Sequence, residues 1–236
     1  MVPQEIAALA GAHELSLHLV VLAGSRSYAL DGAGSDDDYL GVFTVPARRM
    51  LSIAGLDRDT HAGNDPDFTL HEIGKFCRLA LAGNPAILET LWNPRVLSCD
   101  AWGERLRASR SRCLHRGSLG VYVAYAEAQM KKMVRGSGMH SKGGVYGGKF
   151  GMHLLRLLHA GLALGRTGEV MVEVPERLRR RLLDVRGGKA TMEEVRAEAD
   201  PLLAELKELS RANALPEGPD EAAFDALVVE ARMARR

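Results

Sequence analysis

Aromatic residues make up only 5% of this chain. An aromatic platform on which single-stranded bases could stack is therefore not apparent. Cysteine is scarce too: Cys77, Cys99 and Cys113, an odd number with no CxxC spacing. That argues against a zinc site or a disulfide framework and reads as buried cytosolic thiols. No apolar run approaches the length that crosses a bilayer. The N-terminus, MVPQEIAALAGAHELS, has no basic start and carries acids throughout, unlike a signal peptide, so a cytoplasmic protein with no membrane association is expected. The net charge is +1, so no overall field advertises a polyanionic partner, although a local patch can still exist. There are no internal repeats.

What is present is an ordinary globular composition, 46% hydrophobic and 26% charged, over a length that can bury one large core or two small ones. Leu15–Ala23 reads as a core strand stopped by Gly24, with a short helix over 25–30. Tyr39–Val45 reads as a second strand closed by Pro46, and Asp67–Leu70 as a third. Helices are expected at 72–81, from Asn84-Pro85, at 101–112, 119–134 and 149–164, from the capping box Thr191–Glu194 to about 212, and from 221 onward. Val170–Val174 is a short strand or an extended link. The expected fold class is α+β: a small mixed sheet in residues 1–115, then an all-helical domain in 116–236.

The chemistry concentrates at Asp36, Asp37 and Asp38, just ahead of the second strand. Side chains alternate along a strand, which would set Asp36 and Asp38 on one side and Asp37 on the other. Two like charges on one face need compensation, and a hard divalent cation supplies it. Upstream, Gly24-Ser25 offers backbone N–H groups and a hydroxyl to phosphate oxygens. The bland alternative is a solvated acidic loop; the buried strands on either side weigh against it.

The stretch GSRSYALDGAGSDDDYLGVF resembles the signature of the DNA polymerase β-like nucleotidyltransferase superfamily: Gly-Ser, a spacer, then Asp-x-Asp. More narrowly it is similar to the bacterial and phage branch, with GSR-x-Y-G and SD-x-D-Y-R-G-V, which includes predicted nucleotidyltransferases associated with RNA ligase and RNA repair. FTLHEIGKFCRLALAGNPAILETLW and KFGMHLLRLLHAGLALGRTGEVMV continue the likeness, which covers roughly residues 15–190. Ala29 replaces the usual glycine and Leu40 the usual arginine.

The resemblance implies transfer of a nucleoside monophosphate from an NTP to a hydroxyl, with release of pyrophosphate and two metal ions, Mg²⁺ or Mn²⁺. It implies Asp36 and Asp38 as metal ligands. Asp67 is the matching third carboxylate and proton acceptor, with Asp57, Asp59 and Asp65 as rivals in the same polar loop. Gly24 and Ser25 would hold the β- and γ-phosphates, with Arg26 adding a charge-assisted contact. Lys149, His153 and Arg156 recur at i, i+4 and i+7 opposite a leucine face. They match the family's K-x-x-x-H-x-x-R-L-L stretch and are expected to bind nucleotide from a helical domain forming the other wall of the cleft. Lys131 and Lys132, and a Gly136–Gly148 loop with Lys142 and Tyr146, are further candidates. The first acceptor is an RNA 3′ end, with Arg105, Arg107, Arg110, Arg112 and Arg116 as a candidate patch. A protein side chain comes second and a small molecule third. The competing class is a non-catalytic nucleotide-binding module, against which both Asp36 and Asp38 are retained. His71 and Glu72 read as a helix start, and Trp92 and Trp102 as core.

Overall fold

The computed structural model describes residues 1–32, 35–139 and 147–234. These fall into two compact units, one of residues 1–82, 86–113 and 219–236, the other of residues 83–85 and 114–218. The first carries α1 (Gln4–Ala12), β1 (Ser16–Ala23), α2 (Gly24–Ser27), β2 (Asp38–Thr44), α3 (Ala47–Leu51), β3 (Thr60–Asn64), β4 (Asp67–Glu72) and α4 (Ile73–Leu81). After these come α5 (Pro85–Trp92), whose first residue counts with the other unit, β5 (Val96–Cys99) and α6 (Ala101–Ala108). The second unit holds α7 (Arg116–Met139), α8 (Gly148–Thr167), α9 (Glu176–Arg186) and α10 (Met192–Arg211). The last helix, α11 (Glu221–Met233), belongs to the first unit.

The α+β class is correct. Among the described residues the strands form one mixed sheet in the order β3-β4-β2-β1-β5, and only the β2–β4 pair is parallel. Leu19, Val20 and Val21 of β1 are fully buried, as a central strand covered on both faces requires. One apolar cluster joins Ile6 and Ala10 of α1 to Phe43, Phe68 and Leu70 of the sheet. His18, buried in β1, bridges Asp100 and Thr44 at 2.8 Å each. In the second unit α8 packs against α7, α9 and α10, and Leu154, Leu155, Leu158 and Leu162 are buried.

Several expectations are corrected. The sequence assigned the chain's end to the helical domain. Instead Phe224, Leu227 and Val228 of α11 are buried and the helix contacts α4 and α6 of the first unit. Arg232 anchors it, donating to both oxygens of the buried Glu72 carboxylate at 2.8 and 2.7 Å. Glu72 also accepts from the N–H groups of Gly74 and Lys75, so it is both a helix cap and half of an ion pair. His71 is a strand residue, with its ring 3.1 Å from the Thr60 hydroxyl. Strands β3 and β5 and helices α1, α3 and α9 went unread. Residues 170–174 are a link whose Val170, Val172 and Val174 are buried. α7 runs past Gly136, where a loop was expected to start, and continues to Met139; each glycine in a helix costs about 1 kcal/mol, which a long packed helix absorbs. Lys142 and Tyr146 lie outside the described residues.

Candidate active site

Three strand ends meet at one edge of the sheet. Asp38 opens β2 and is the register partner of Ala23, the last residue of β1. On its other side Asp38 pairs with Asp67, the first residue of β4. Adjacent strands lie about 4.8 Å apart, so the backbone alone places the two aspartates as neighbours. β2 and β4 are parallel, which is why both carboxylates come at the same end. A two-residue turn, Asp65-Pro66, delivers Asp67 there from β3, in register with Asn64.

Gly24 follows Ala23 directly and sits beneath Asp38. Its φ is +62°, a left-handed conformation. A Cβ built on it would lie 1.7 Å from Asp38 Oδ2 and 2.6 Å from Cγ. Only glycine satisfies both demands. The Ser27 hydroxyl donates to the Gly24 carbonyl at 2.8 Å, and Leu30 N–H donates to the Ser25 carbonyl at 2.9 Å, closing a short turn around α2. Beyond it, the Tyr28 hydroxyl donates to the Glu89 carboxylate at 2.6 Å. Glu89 is 4% exposed and is the one charged residue in the apolar helix α5. That lone charge was a usable signal, and it was missed.

Ala29 has φ +57°, so the position that carries glycine in the resembling pattern does so for backbone reasons. Leu40, at the pattern's arginine position, is half-buried on β2 between Val21 and Thr69.

Strand pairing begins at Asp38. Asp36 is exposed in the unpaired link before it, so the alternation argument does not fix its side. Asp37 is not a bystander. It is ion-paired to Arg26 Nε and accepts from the Tyr39 hydroxyl at 3.1 Å. Arg26 also donates to the Ser35 carbonyl at 3.2 Å. Together these contacts clasp the acidic link to α2. Burial and the neighbouring Asp37 carboxylate push the Tyr39 phenol above its ordinary pKa. Arg26, expected on phosphate, is thus committed to Asp37 in this state.

Two of Asp67's rivals are engaged elsewhere. Asp57 pairs with Arg49 at 3.3 Å. Asp59 pairs with Lys75 at 2.9 Å, a hydrogen bond that holds its carboxyl below the usual range. Asp67 itself is exposed at the strand edge. All the candidate donors are carboxylate oxygens, the chemistry a hard divalent cation takes. Among the described residues no group of three or more His, Cys, Asp or Glu side chains is gathered for an ion. What the backbone brings together is the pair Asp38 and Asp67.

In the second unit, Lys149 is exposed, His153 half-buried and Arg156 6% exposed, so the stripe is not a uniformly solvated face. Burial, then the positive charge of Arg156, Lys149, Arg186 and Lys132, pushes His153 down to about 4. Its ring is therefore neutral at physiological pH. Of the arginine patch, Arg105 pairs with Glu230 and lies 4.7 Å over the Trp102 ring. Arg107 donates to the Asn93 carbonyl, Arg110 lies 5.4 Å over Trp92, and Arg112 pairs with Asp220. Trp92 and Trp102 are accordingly half-buried supports for guanidinium groups rather than core. All three cysteines are free, and burial pushes Cys77 and Cys113 up to about 12 and Cys99 to about 11. No described helix is long and apolar enough to cross a membrane.

The profile of the RNA repair pathway DNA polymerase beta family, RlaP, matches residues 1–230. The chain belongs to this family. No curated protein matches it significantly. The match spans both units, so the helical unit is as much a part of the RlaP chain as the sheet.

Proposed function

We propose that this RlaP-family protein transfers a nucleoside monophosphate from an NTP to a hydroxyl, first of all an RNA 3′ end, and releases pyrophosphate. The observation that carries the reading is the in-register pairing of Asp38 with Asp67 over the left-handed Gly24. Asp36, Asp38 and Asp67 would hold the divalent ions, Mg²⁺ or Mn²⁺. When bound, the ions supply the charge that lowers the acceptor pKa and neutralises the phosphates.

The chain's own residues do the rest. Asp67 takes the proton from the acceptor hydroxyl. The acceptor oxygen then forms its bond to the α-phosphorus as the bond to the bridging oxygen of pyrophosphate breaks. Backbone N–H groups at Gly24 and Ser25, with the Ser25 hydroxyl, orient the β- and γ-phosphates, and Arg26 keeps the acidic link closed through Asp37. In the helical unit, Lys149, Arg156 and the neutral His153 remain the proposed nucleotide-binding residues. Three free cysteines fit a reducing compartment and a cytoplasmic place of work.

The test is incubation with each labelled NTP, Mg²⁺ or Mn²⁺, and single-stranded RNA. One-nucleotide extension that disappears in Asp38→Asn is expected. Label on the protein or on a small hydroxyl compound instead would move the acceptor. Absence of transfer to all three, or transfer undiminished in Asp38→Asn, would sink the assignment.

A further inference from the structure

α2 is only four residues long, Gly24–Ser27. A single turn does not fix its own geometry, because helix nucleation is unfavourable. The support comes from α5. Upstream, the Asn93 side-chain amide donates to the Leu22 carbonyl at 2.8 Å, two residues before Gly24. Downstream, the hydroxyl of Tyr28, the residue that ends α2, donates to the Glu89 carboxylate at 2.6 Å. Both flanks of the turn are thus tied to one helix.

Glu89 and Asn93 stand four positions apart, so they share a helix face. The last turn of α5 carries on into Asn93, whose N–H donates to the Thr90 carbonyl at 3.3 Å. Glu89 is 4% exposed and Asn93 2%. Asn93 is held in its turn: its side-chain oxygen accepts from the Arg95 N–H at 2.8 Å, and its carbonyl accepts from the Arg107 guanidinium at 2.9 Å. Ile87, Leu88 and Leu91 of α5 are buried, which seats the helix in the first unit. An apolar pair at 89 and 93 would pack at lower desolvation cost, but it would not hold polar groups on either side of the turn.

We propose that Glu89 and Asn93 are positioning residues that hold the two flanks of the Gly24–Ser27 turn and so fix the turn against the Asp38 carboxylate. Asp38 lies directly over Gly24, so slack in the turn is passed to that carboxylate. That the turn then presents its backbone to the phosphates of an NTP rests on the nucleotidyltransferase reading. Tyr28 is the contact through which Glu89 acts.

The test compares Tyr28→Phe, Asn93→Ala, Glu89→Gln and Thr90→Val in the full chain. Tyr28→Phe removes one oxygen. Thr90→Val is the control: it removes a 2.8 Å hydrogen bond to the Ala86 carbonyl from the same helix but touches neither flank of the turn. Tyr28→Phe and Asn93→Ala should each lower kcat/KM for the NTP about tenfold, with KM for the acceptor unmoved. Glu89→Gln still accepts from Tyr28 and should stay within about threefold of wild type, as should Thr90→Val. A second reading needs no turnover. The Leu30 N–H closes the turn on the Ser25 carbonyl at 2.9 Å, and its hydrogen exchange should quicken about tenfold in Tyr28→Phe and stay unchanged in Thr90→Val.

Tyr28→Phe with both kcat/KM and Leu30 exchange within about twofold of wild type would overturn the brace, and this variant decides alone if Asn93→Ala does not fold. Losses of equal size in Thr90→Val would overturn it too, because they would report general damage to α5. A protein that transfers no nucleotide, yet shows the faster Leu30 exchange in Tyr28→Phe alone, would sink the enzymatic reading and leave the brace standing.

Discussion

Gly24 offers the sharpest perturbation of the site, and the molecule contains its own control. Gly24 and Gly55 have nearly the same backbone, φ +62° and +66°. A Cβ on Gly55 would meet nothing within 4 Å, whereas one on Gly24 would lie 1.7 Å from Asp38 Oδ2. Alanine in the left-handed region costs about 1–2 kcal/mol. The reduced freedom of the unfolded chain returns roughly 0.4–1 kcal/mol. Each variant should therefore lose about 1 kcal/mol, a fall in Tm of about 2–4 °C for a protein of this size.

Only Gly24→Ala adds displacement of the carboxylate. Real Cβ contacts essentially never fall under 3.0 Å, so Asp38 Oδ2 must move by more than an ångström. A misplacement on the order of 1 Å at a reacting centre can cost about 10²-fold in rate. Nucleotide transfer should thus fall about 100-fold or more in Gly24→Ala and stay within about twofold of wild type in Gly55→Ala, at matched thermal stability. Calorimetric melts and a single-turnover transfer assay on both variants decide it. Equal activity in the two variants would mean that the Asp38 carboxylate over Gly24 is not part of the reacting centre.

Ala29→Gly relieves the same kind of strain at φ +57° and should raise stability by about 0.5–1 kcal/mol in a denaturant melt; a loss would show that Ala29 sits there without strain. Asp37→Ala frees Arg26 and Tyr39 from the acidic link, so transfer should fall about tenfold with little change in Tm, and wild-type activity would reduce the clasp to a surface ion pair. His153, held at about 4 against an unfolded 6.5, contributes stability that is fully present above pH 6.5 and is lost as pH falls toward 4, because only the unfolded chain takes up the proton in that window. The loss is about 3 kcal/mol, and a His153→Phe protein whose stability kept the wild-type slope between pH 4 and 6.5 would contradict it.

The elements that were legible in the sequence are those whose signal is local. The runs at 15–23 and 39–45 announce themselves by mostly apolar residues with β-branched valines, and Thr191 with Glu194 announces α10 through a capping box that forms as read. Strand β3, THAGN, has no such run, and its existence depends on pairing with β4. α9 carries few apolar residues among its arginines, and only Leu182 and Val185 are buried. α11 reads plainly as a helix, but its place beside the sheet depends on Arg232 meeting Glu72 across 160 residues of sequence. No period or cap encodes that partner.

The site divides along the same line. Gly-Ser and Asp-x-Asp are contiguous enough to be recognised, and Asp67 could be named from an alternating segment. That Asp67 stands beside Asp38 follows from a parallel pairing between strands separated by α3 and β3, a long-range choice that no short window contains. Asp37 shows the opposite failure. Local alternation assigned it outward, yet the chain is not a paired strand at that point, and the side chain instead turned to Arg26 and Tyr39. A motif thus names the residues that do chemistry more readily than those that hold them in place. The holding residues here, Arg26, Tyr28, Asp37 and Glu89, are polar groups satisfied by partners distant in sequence or off the regular ladder. A search for further RlaP determinants should accordingly begin from half-buried polar pairs around Gly24 rather than from additional carboxylates.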